Sequence, residues 1–364
     1  MNKIRDKKNI YTDLIASIQK NEPVAIATVV ESSGSTPQGA GSSAIFNNNG
    51  LVAGTIGGGK VEYKIQQEAI SALNSGKSGH YRFELKDDIT EPDSAICGGG
   101  MSVLLDAEPQ RHSEVYNSLL KDYSKRISGV LVTLANSEVS GELKLERIWA
   151  TRKNFEQIKH EFQPDVAKTV SEMLDKNKFG DFREIVIHTS PEFEDNYAFL
   201  EAVVPLPQLI IAGAGHVGKA LAHQGKLLDF EVIVWDDRKE FANKDNFQEA
   251  DKVLSGKLDD SLGQFKVGND SFIVIVTRGH SQDADVLKQF INTEAGYIGM
   301  IGSRKKIAQV KEKSLQEGWA TSEQWEKIHA PIGLNIHSKT IEEIAISIAA
   351  ELIQERYNLN NRNG

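Results

Sequence analysis

The chain has 364 residues, of which 40% are hydrophobic and 26% charged, a composition typical of folded domains rather than of a disordered protein. On a prior of ~150 residues per domain this length predicts about two domains, and the net charge of −9 argues against nucleic acid or anionic membrane as partners. Cys97 is the only cysteine, so an internal disulfide and a cysteine-rich zinc site are excluded.

The N-terminal region predicts a helix followed by a buried strand. Residues 1–20 are charged and polar where a secretory signal would be apolar, and no stretch supplies the ~20 apolar residues of a membrane helix. We therefore expect a cytoplasmic protein. Residues 10–18 carry apolar side chains at helical spacing, and the apolar run of residues 24–30 predicts a strand.

The loop that follows this strand, residues 31–41, is too rich in Gly, Ser and Pro to be a regular element. Long loops after strands often carry binding residues. The candidate binding residues in this loop are Glu31, Ser33, Gly34 and Ser35. The side chains of Glu31, Ser33, Ser35 and Thr36 can hydrogen-bond a polar heterocycle. A capped turn uses the same residue types, so a purely structural interpretation stays open.

A second glycine-rich loop, residues 54–59, precedes a predicted helix. With Lys60 it resembles a Walker A stretch, but Val61 stands where that motif has the Ser or Thr that binds Mg²⁺, which argues against a nucleoside triphosphatase. Its backbone N–H groups can bind an anion or a ring carbonyl, although a turn built for close packing has the same composition. The candidate binding residues of this loop and the start of its helix are Thr55, Gly57, Gly58, Gly59 and Glu62.

Cys97 lies in a third loop, followed by Gly98, Gly99 and the predicted strand of residues 101–105. Glycine neighbours can expose its sulfur, which makes Cys97 a candidate ligand or sulfur carrier. The alternative is a buried, inert cysteine, because thiol reactivity depends on exposure and pKa. We expect the three loops to converge.

The sequence predicts an α/β protein with a Rossmann-like parallel sheet in its C-terminal part and an N-terminal α+β domain. Residues 111–200 add helices and strands with little recognisable chemistry. Pro205 and Pro207 mark the boundary. The predicted domains are residues 1–204, with a subdivision near residue 110, and residues 205–364.

Gly213, Gly215 and Gly218 form a G-x-G-x-x-G motif between a predicted strand and a helix. The first glycine permits a tight turn, the second lets backbone approach a pyrophosphate, and the third lets helix and strand pack closely. A second strand ends at Asp236, at the spacing expected of a carboxylate that binds ribose. The pattern predicts nucleotide binding, with a purely structural Rossmann core as the alternative.

Several neighbours of the motif are further candidates. Arg238 either accepts a 2′-phosphate or pairs with Asp237. The remaining candidates are His216 and Val217 at the helix start and His280 in a later loop. Asp283, near His280, is expected to begin the next helix rather than to bind a metal, and no transition-metal cluster is apparent.

These motifs together resemble the XdhC/CoxI family, accessory proteins of xanthine dehydrogenase and related molybdenum hydroxylases. Gln38 departs from the basic residue often found at its position, which weakens any grip on phosphate by charge in that loop. The strings that carry the resemblance are residues 30–37, 54–59 with Val61 and Glu62, 97–99, 213–218, 236–238, 277–280 with Asp283, 297–304 and 330–334.

The resemblance implies a carrier without turnover of its own. It implies binding of the molybdenum cofactor, as molybdopterin or its cytosine dinucleotide, with protection while a cysteine desulfurase installs the terminal sulfur. It also implies delivery to an apo molybdenum hydroxylase of the xanthine dehydrogenase class. Cys97 is the hypothesised contact for molybdenum or its exchangeable sulfur.

Two other functions stay open beside the carrier. The Rossmann motif alone favours an NAD(P)-dependent oxidoreductase, although no hydride-transfer constellation is identifiable, and a nucleotide-sensing binding protein is the third interpretation. NAD(P) therefore stays open as a ligand. A homodimer is the default expectation for the assembly.

Overall fold

The computed structural model describes residues 9–85, 99–137, 142–177, 180–187, 196–262 and 265–362. The chain divides into two compact units, one of residues 7–205 and one that contains residues 206–364. Both combine helices with sheets, and the α/β class expected from the sequence, with a parallel sheet in the C-terminal part, is confirmed.

The unit of residues 7–205 alternates strands and helices along the chain. Its elements are α1 (Ile10–Gln19), β1 (Ala25–Ser33), β2 (Ser43–Asn47), β3 (Gly50–Gly54), α2 (Gly59–Ser75), β4 (Gly79–Leu85), β5 (Gly99–Asp106), α3 (Ser113–Ser124), β6 (Gly129–Ser137), β7 (Leu143–Ala150), α4 (Phe155–Ile158), α5 (Pro164–Lys176), β8 (Phe182–Ile187) and β9 (Asn196–Val203).

The described strands of this unit form two antiparallel sheets, ordered β3-β2-β1-β5-β4 and β7-β6-β9-β8. Helix α2 packs on the first sheet because Val61, Ile65 and Ala69 recur on one helical face. On the other side of that sheet, Val30 and Leu104 pack against side chains of the second sheet. The loops that carry the candidate residues leave the first sheet at the ends of β1, β3 and before β5.

The unit of residues 206–364 has the strand–helix alternation predicted for a Rossmann-like sheet. Its elements are β10 (Gln208–Ala212), α6 (His216–Leu227), β11 (Glu231–Asp236), β12 (Lys252–Ser255), α7 (Leu258–Leu262), β13 (Ser271–Ile275), α8 (His280–Phe290), β14 (Tyr297–Met300), α9 (Arg304–Gln316), α10 (Ser322–Trp325), β15 (Ile328–His329) and α11 (Ile341–Arg362).

The six strands that the structure describes in this unit are all parallel, in the order β12-β11-β10-β13-β14-β15. Alternate residues of β10 face opposite sides of the sheet, with Leu209 in the layer that contains α6 and α11 and Ile210 in the layer that contains α8 and α9. Strand order reverses direction at β10. Ligands of open α/β sheets bind beyond the carboxyl ends of the strands at such a switch point.

One predicted helix start is wrong. Helix α8 begins at His280 with Gly279 as its N-cap, three residues before Asp283. Asp283 instead lies fully buried inside the first turn, where it accepts a hydrogen bond from Thr277 and forms an ion pair with Lys306 of α9. These contacts use both carboxylate oxygens and hold Asp283 in the interior rather than at the cap.

No helix among the residues that the structure describes is both long and apolar enough to cross a membrane.

Candidate functional site

In the unit of residues 7–205, the glycine-rich loops lie against one another. A Cβ on Gly99 would come within 2.3 Å of the Ser33 carbonyl oxygen and 2.7 Å of that of Ser35, so only glycine permits this approach. A Cβ on Gly57 would lie 2.8 Å from the Pro37 side chain. Strand β1 runs to Ser33, three residues further than the sequence predicts, and the structure brings its end and the loop that follows it next to both other loops. Cys97 and Gly98 lie outside the described residues.

Glu31 is placed by an irregularity in the sheet. The pairing of β1 with β5 shifts register between Val29 and Glu31, so both Val29 and Val30 are buried and Glu31 is the first exposed residue of the strand. Its Oε2 accepts a hydrogen bond of 3.0 Å from the Ser102 hydroxyl.

The loop of residues 54–59 binds a carboxylate of its own chain. Oε2 of Glu62 accepts hydrogen bonds from the Thr55 hydroxyl at 2.7 Å and from the backbone N–H groups of Ile56 at 3.0 Å and Gly58 at 3.3 Å. The N–H of Gly57 donates to the Thr55 hydroxyl. These donors, expected to bind an external anion, are therefore already paired with a negative charge.

Two glycines of this loop still face open space. Gly58 and Gly59 have φ of +72° and +60°, and a Cβ on either would find no atom within 4 Å. Their positive φ favours glycine, and their open faces allow a flat ring to approach the backbone. The loop thus has its donors occupied by Glu62 and leaves space only on the Cβ side of these two glycines.

The three motif glycines of the second unit have three different surroundings. A Cβ on Gly213, whose φ is +128°, would lie 2.3 Å from the Val276 carbonyl oxygen, and one on Gly218 would lie 1.9 Å from the Gly213 carbonyl oxygen. Gly215 has φ of −78° and no atom within 4 Å of its Cβ position. Gly213 and Gly218 are required by packing, whereas the open face of Gly215 lies at the N-terminus of α6, where an anion is favoured.

The residues after Gly215 line a groove along the exposed side of α6. The groove has a volume of about 910 Å³. His216 is exposed at the helix start, while Val217 packs partly against the core below. Phe241 and Ile346 contribute apolar walls from either side of the helix.

Asp236 is buried and has both carboxylate oxygens in use. Oδ2 accepts from the Ala214 N–H at 2.9 Å and from Nη2 of Arg238 at 3.0 Å, and Oδ1 accepts from the N–H and Nε of Arg238 at 3.1 and 2.8 Å. Burial alone would raise the pKa of Asp236, but these hydrogen bonds outweigh it and lower the pKa to about 2. The guanidinium of Arg238 also lies 3.8 Å from the centre of the Phe241 ring.

The loop after β13 is held by the Asp283 cluster. Thr277 donates to Asp283 and Lys306 pairs with it, so the ends of β13 and α9 are joined through one buried carboxylate. The backbone of His280 begins α8 directly after this loop. Lys306 could not be found from the sequence, because the sequence pattern does not predict α9.

Two sequence models match the chain. That of the XdhC Rossmann domain matches residues 209–352, and that of the XdhC and CoxI family matches residues 17–84, together more than half of the chain. The chain belongs to the XdhC and CoxI family. The resemblance carried by the glycine loops of this XdhC chain is thereby confirmed.

Curated relatives match nearly the whole XdhC chain. A protein of Bacillus subtilis (strain 168), named as a probable xanthine dehydrogenase component, is 27% identical over 354 residues, 96% of this chain and 98% of the relative. The uncharacterized protein YqeB of Escherichia coli (strain K12) is 24% identical over 351 residues, 96% of this chain. The chain spans about half of YqeB, 47% of its length.

A solved structure has the same fold as the XdhC chain. The crystal structure of a xanthine dehydrogenase from Bacillus halodurans superposes with a TM-score of 0.69 at 24% identity, over 96% of both chains. This likeness extends the fold assignment to nearly the full length of the chain.

The described part of the XdhC chain contains no group of three or more His, Cys, Asp or Glu side chains placed to hold a metal ion. Two features of its sites were not expected from the sequence: the capture of the glycine loop by Glu62, and the complete use of Asp236 by Arg238 and Ala214. The G-x-G-x-x-G motif of residues 213–218 is the sequence signal for the site in the unit of residues 206–364. The sequence also indicates Asp236 and Arg238, which lie at the end of the following strand.

Proposed function

We propose that this protein is an accessory factor that binds molybdenum cofactor and delivers it to an apo molybdenum hydroxylase of the xanthine dehydrogenase class. In this proposal it protects the cofactor while a cysteine desulfurase partner installs the terminal sulfur. Membership of the XdhC family and the name of the Bacillus subtilis relative, a probable xanthine dehydrogenase component, support an XdhC-type accessory role. Binding of the cofactor, its protection during sulfuration and its delivery are the further parts of the proposal.

The observation that carries the proposal is the open face of Gly215 at the start of α6. A cofactor that ends in a phosphate or diphosphate needs a backbone it can approach closely and N–H groups that are not shielded by a side chain. Gly215 meets both needs, and its neighbours Gly213 and Gly218 hold the turn in place.

Considered by themselves, the glycine-rich loops of the unit of residues 7–205 suit a pterin ring better than a phosphate. Gly58 and Gly59 present open backbone, and Glu62 places a negative charge where a phosphate would otherwise bind. Glu31 and Ser33 supply polar groups for a ring with several nitrogen atoms. We include Cys97 in the proposal as the contact for the exchangeable sulfur.

The molybdenum cofactor supplies the metal and the sulfur chemistry, and the chain supplies binding and shielding from water. An NAD(P)-dependent oxidoreductase or a nucleotide sensor would use the same Gly213–Gly218 turn, so binding has to be compared directly.

The test is the affinity of the purified protein for isolated molybdenum cofactor, NAD and NADP, measured anaerobically for the wild type and for Gly215→Ala. The added methyl group meets no atom of the protein, and φ of −78° suits alanine, so the melting temperature should stay unchanged. Because the methyl group would stand where a phosphate approaches, we expect at least a tenfold loss of affinity for the cofactor.

Gly268→Ala is the matched control, since Gly268 precedes the amino-terminal end of β13, whereas Gly215 follows the carboxyl end of β10, and a Cβ on Gly268 would meet only Asp270 Oδ1 at 3.4 Å. It should bind as the wild type does. Cofactor binding that is equal in all three proteins would contradict the proposal. Binding of NAD or NADP without molybdenum cofactor would replace it with the dehydrogenase or sensor.

A further inference from the structure

Two adjacent acids stand at the end of β11, Asp236 as its last residue and Asp237 directly after it, and they differ in how many of their hydrogen-bonding positions are already used. A carboxylate offers about four lone-pair positions. In Asp236 they are all used, by the Ala214 N–H and three N–H groups of Arg238, at 2.8 to 3.1 Å. Asp236 is also only 4% exposed. A ribose hydroxyl could reach Asp236 only by displacing these bonds.

Asp237 is in the opposite situation. Its side chain is 38% exposed, and its nearest cations are Nη2 of Arg278 at 3.3 Å and Nε of Arg238 at 3.8 Å. Arg278 is itself 59% exposed. Ion pairs between exposed side chains contribute little to stability, so this pair can open at small cost.

The Asp237–Arg278 pair lies at the switch point of the sheet. Asp237 follows β11 and Arg278 follows β13, and β10 lies between these two strands. The pair therefore crosses the turn that follows β10, which contains Gly213 and the open face of Gly215. A nucleotide whose phosphates approach Gly215 would meet both side chains.

We propose that Asp237, rather than Asp236, accepts the ribose hydroxyls of a bound nucleotide, and that Arg278, released from Asp237, binds its phosphates. The proposal rests on the proposed function, in which this unit binds the phosphate end of a cofactor, and it commits that cofactor to a form with a ribose and a diphosphate. Arg238 stays on Asp236 and Phe241, so the site does not select a 2′-phosphate.

The test compares ribonucleotides with 2′-deoxyribonucleotides as probes. Affinities of CDP and ADP, and of dCDP and dADP, are measured for the full-length wild type, Asp237→Asn and Asp236→Asn. The wild type should favour the ribonucleotide by about tenfold, the value of a hydrogen bond to a charged group. Asp237→Asn should bring this ratio close to one without lowering the melting temperature.

Asp236→Asn separates a binding role from a structural one. It should lower the melting temperature, because Asp236 joins the Ala214 turn to Arg238, and it should leave the ribose preference of the remaining folded protein intact. A preference lost in Asp236→Asn and kept in Asp237→Asn would overturn the proposal.

Arg278→Gln provides a second readout. It should lower the affinity for CDP about tenfold while leaving the weaker binding of cytidine unchanged, and Lys311→Gln, an exposed cation of α9, should alter neither. An equal loss for CDP and cytidine would contradict the role of Arg278. A wild type that binds none of these nucleotides would refute both this inference and nucleotide-type binding by the unit, whereas binding with unaltered ratios in the variants refutes the inference alone.

Discussion

Glu62 changes what its glycine loop can bind. Three donors that a phosphate would use, the Thr55 hydroxyl and the N–H groups of Ile56 and Gly58, point to one oxygen of this side chain. The loop therefore has the sequence pattern of an anion-binding site, but its donors are already paired with the negative charge of Glu62. Space remains only on the Cβ side of Gly58 and Gly59.

Removal of this carboxylate should both loosen the loop and make it bind anions. We expect Glu62→Ala to destabilise the protein by about 1–3 kcal/mol, since the N–H groups of Ile56 and Gly58 lose their partner. Sulfate should then raise the melting temperature of the variant more than that of the wild type. Gln67→Ala, an exposed position of the same helix, is the control, and an equal sulfate effect in all three proteins would contradict this account.

At this scale the sequence predicts backbone roles better than side-chain roles. The tight turn at Gly213 and the close packing at Gly218 follow from the absence of a Cβ and are present in the structure, while the approach of a pyrophosphate to Gly215 stays a prediction. The environment of Asp236 was not predictable, because it depends on how Arg238 folds back in three dimensions. The predicted ribose role of Asp236 remains a prediction, with Asp237 as the alternative proposed above.

Helix α8 is an element whose start is displaced by a tertiary contact. An aspartate near a helix start is usually an N-cap, and the sequence therefore predicts a boundary at Asp283. The structure instead extends the helix back to His280 and buries Asp283 against Lys306 and Thr277. The capping preference of Asp283 does not decide where the helix begins, because this side chain is paired with Lys306 of α9.

Removal of the Asp283 charge from the Asp283–Lys306 ion pair should destabilise the protein. We expect Asp283→Asn to lower the free energy of unfolding by about 1–3 kcal/mol, because the fully buried carboxylate pairs with Lys306, whose side chain is 24% exposed, and accepts the hydrogen bond of the Thr277 hydroxyl. Asp285→Asn, an exposed position on the same helix, should have little effect. Chemical denaturation is the measurement, and adding Lys306→Met to Asp283→Asn should recover part of the loss; a double variant no better than the single one would contradict the pairing.

Elements without a strong apolar pattern were not predicted. Strand β12 has no fully buried residue, and β15 has only two residues, so neither shows the recurring apolar residues by which a strand is recognised in a sequence. Helix α9 carries charged residues on most of its surface. The strands buried on both faces, β10, β11 and β13, were recognised because continuous apolar runs are typical of parallel sheets.

At the scale of the whole molecule, the pH dependence of stability should be set in part by one carboxyl in the unit of residues 7–205. Burial raises the pKa of Glu201 to about 7, against the smaller effects of the hydrogen bond from the Tyr11 hydroxyl and the charge of Arg147. Between the unfolded value of about 4.5 and this folded value, the unfolded chain has lost the proton and the folded one keeps it. Stability should therefore fall as pH rises through this window.

We expect the melting temperature of the intact protein to be higher near pH 5 than near pH 8, with a contribution from Glu201 of up to about 3 kcal/mol. Glu201→Gln keeps an acceptor for Tyr11 without a charge, so this variant should lose most of the decline. Glu146→Gln, an exposed position in β7, should decline as the wild type does. A decline that is the same in both variants would assign the effect to other groups.

The three motif glycines differ in whether the fold itself requires them, and this difference has a consequence for the evolution of the sequence. Gly213 and Gly218 cannot change without a collision in the backbone, whether or not a ligand is ever bound. Gly215 can change freely as far as the empty fold is concerned. A lineage that abandoned the ligand would therefore keep the outer two glycines and let the middle one drift, so variation at this single position would record the loss of function before any loss of structure.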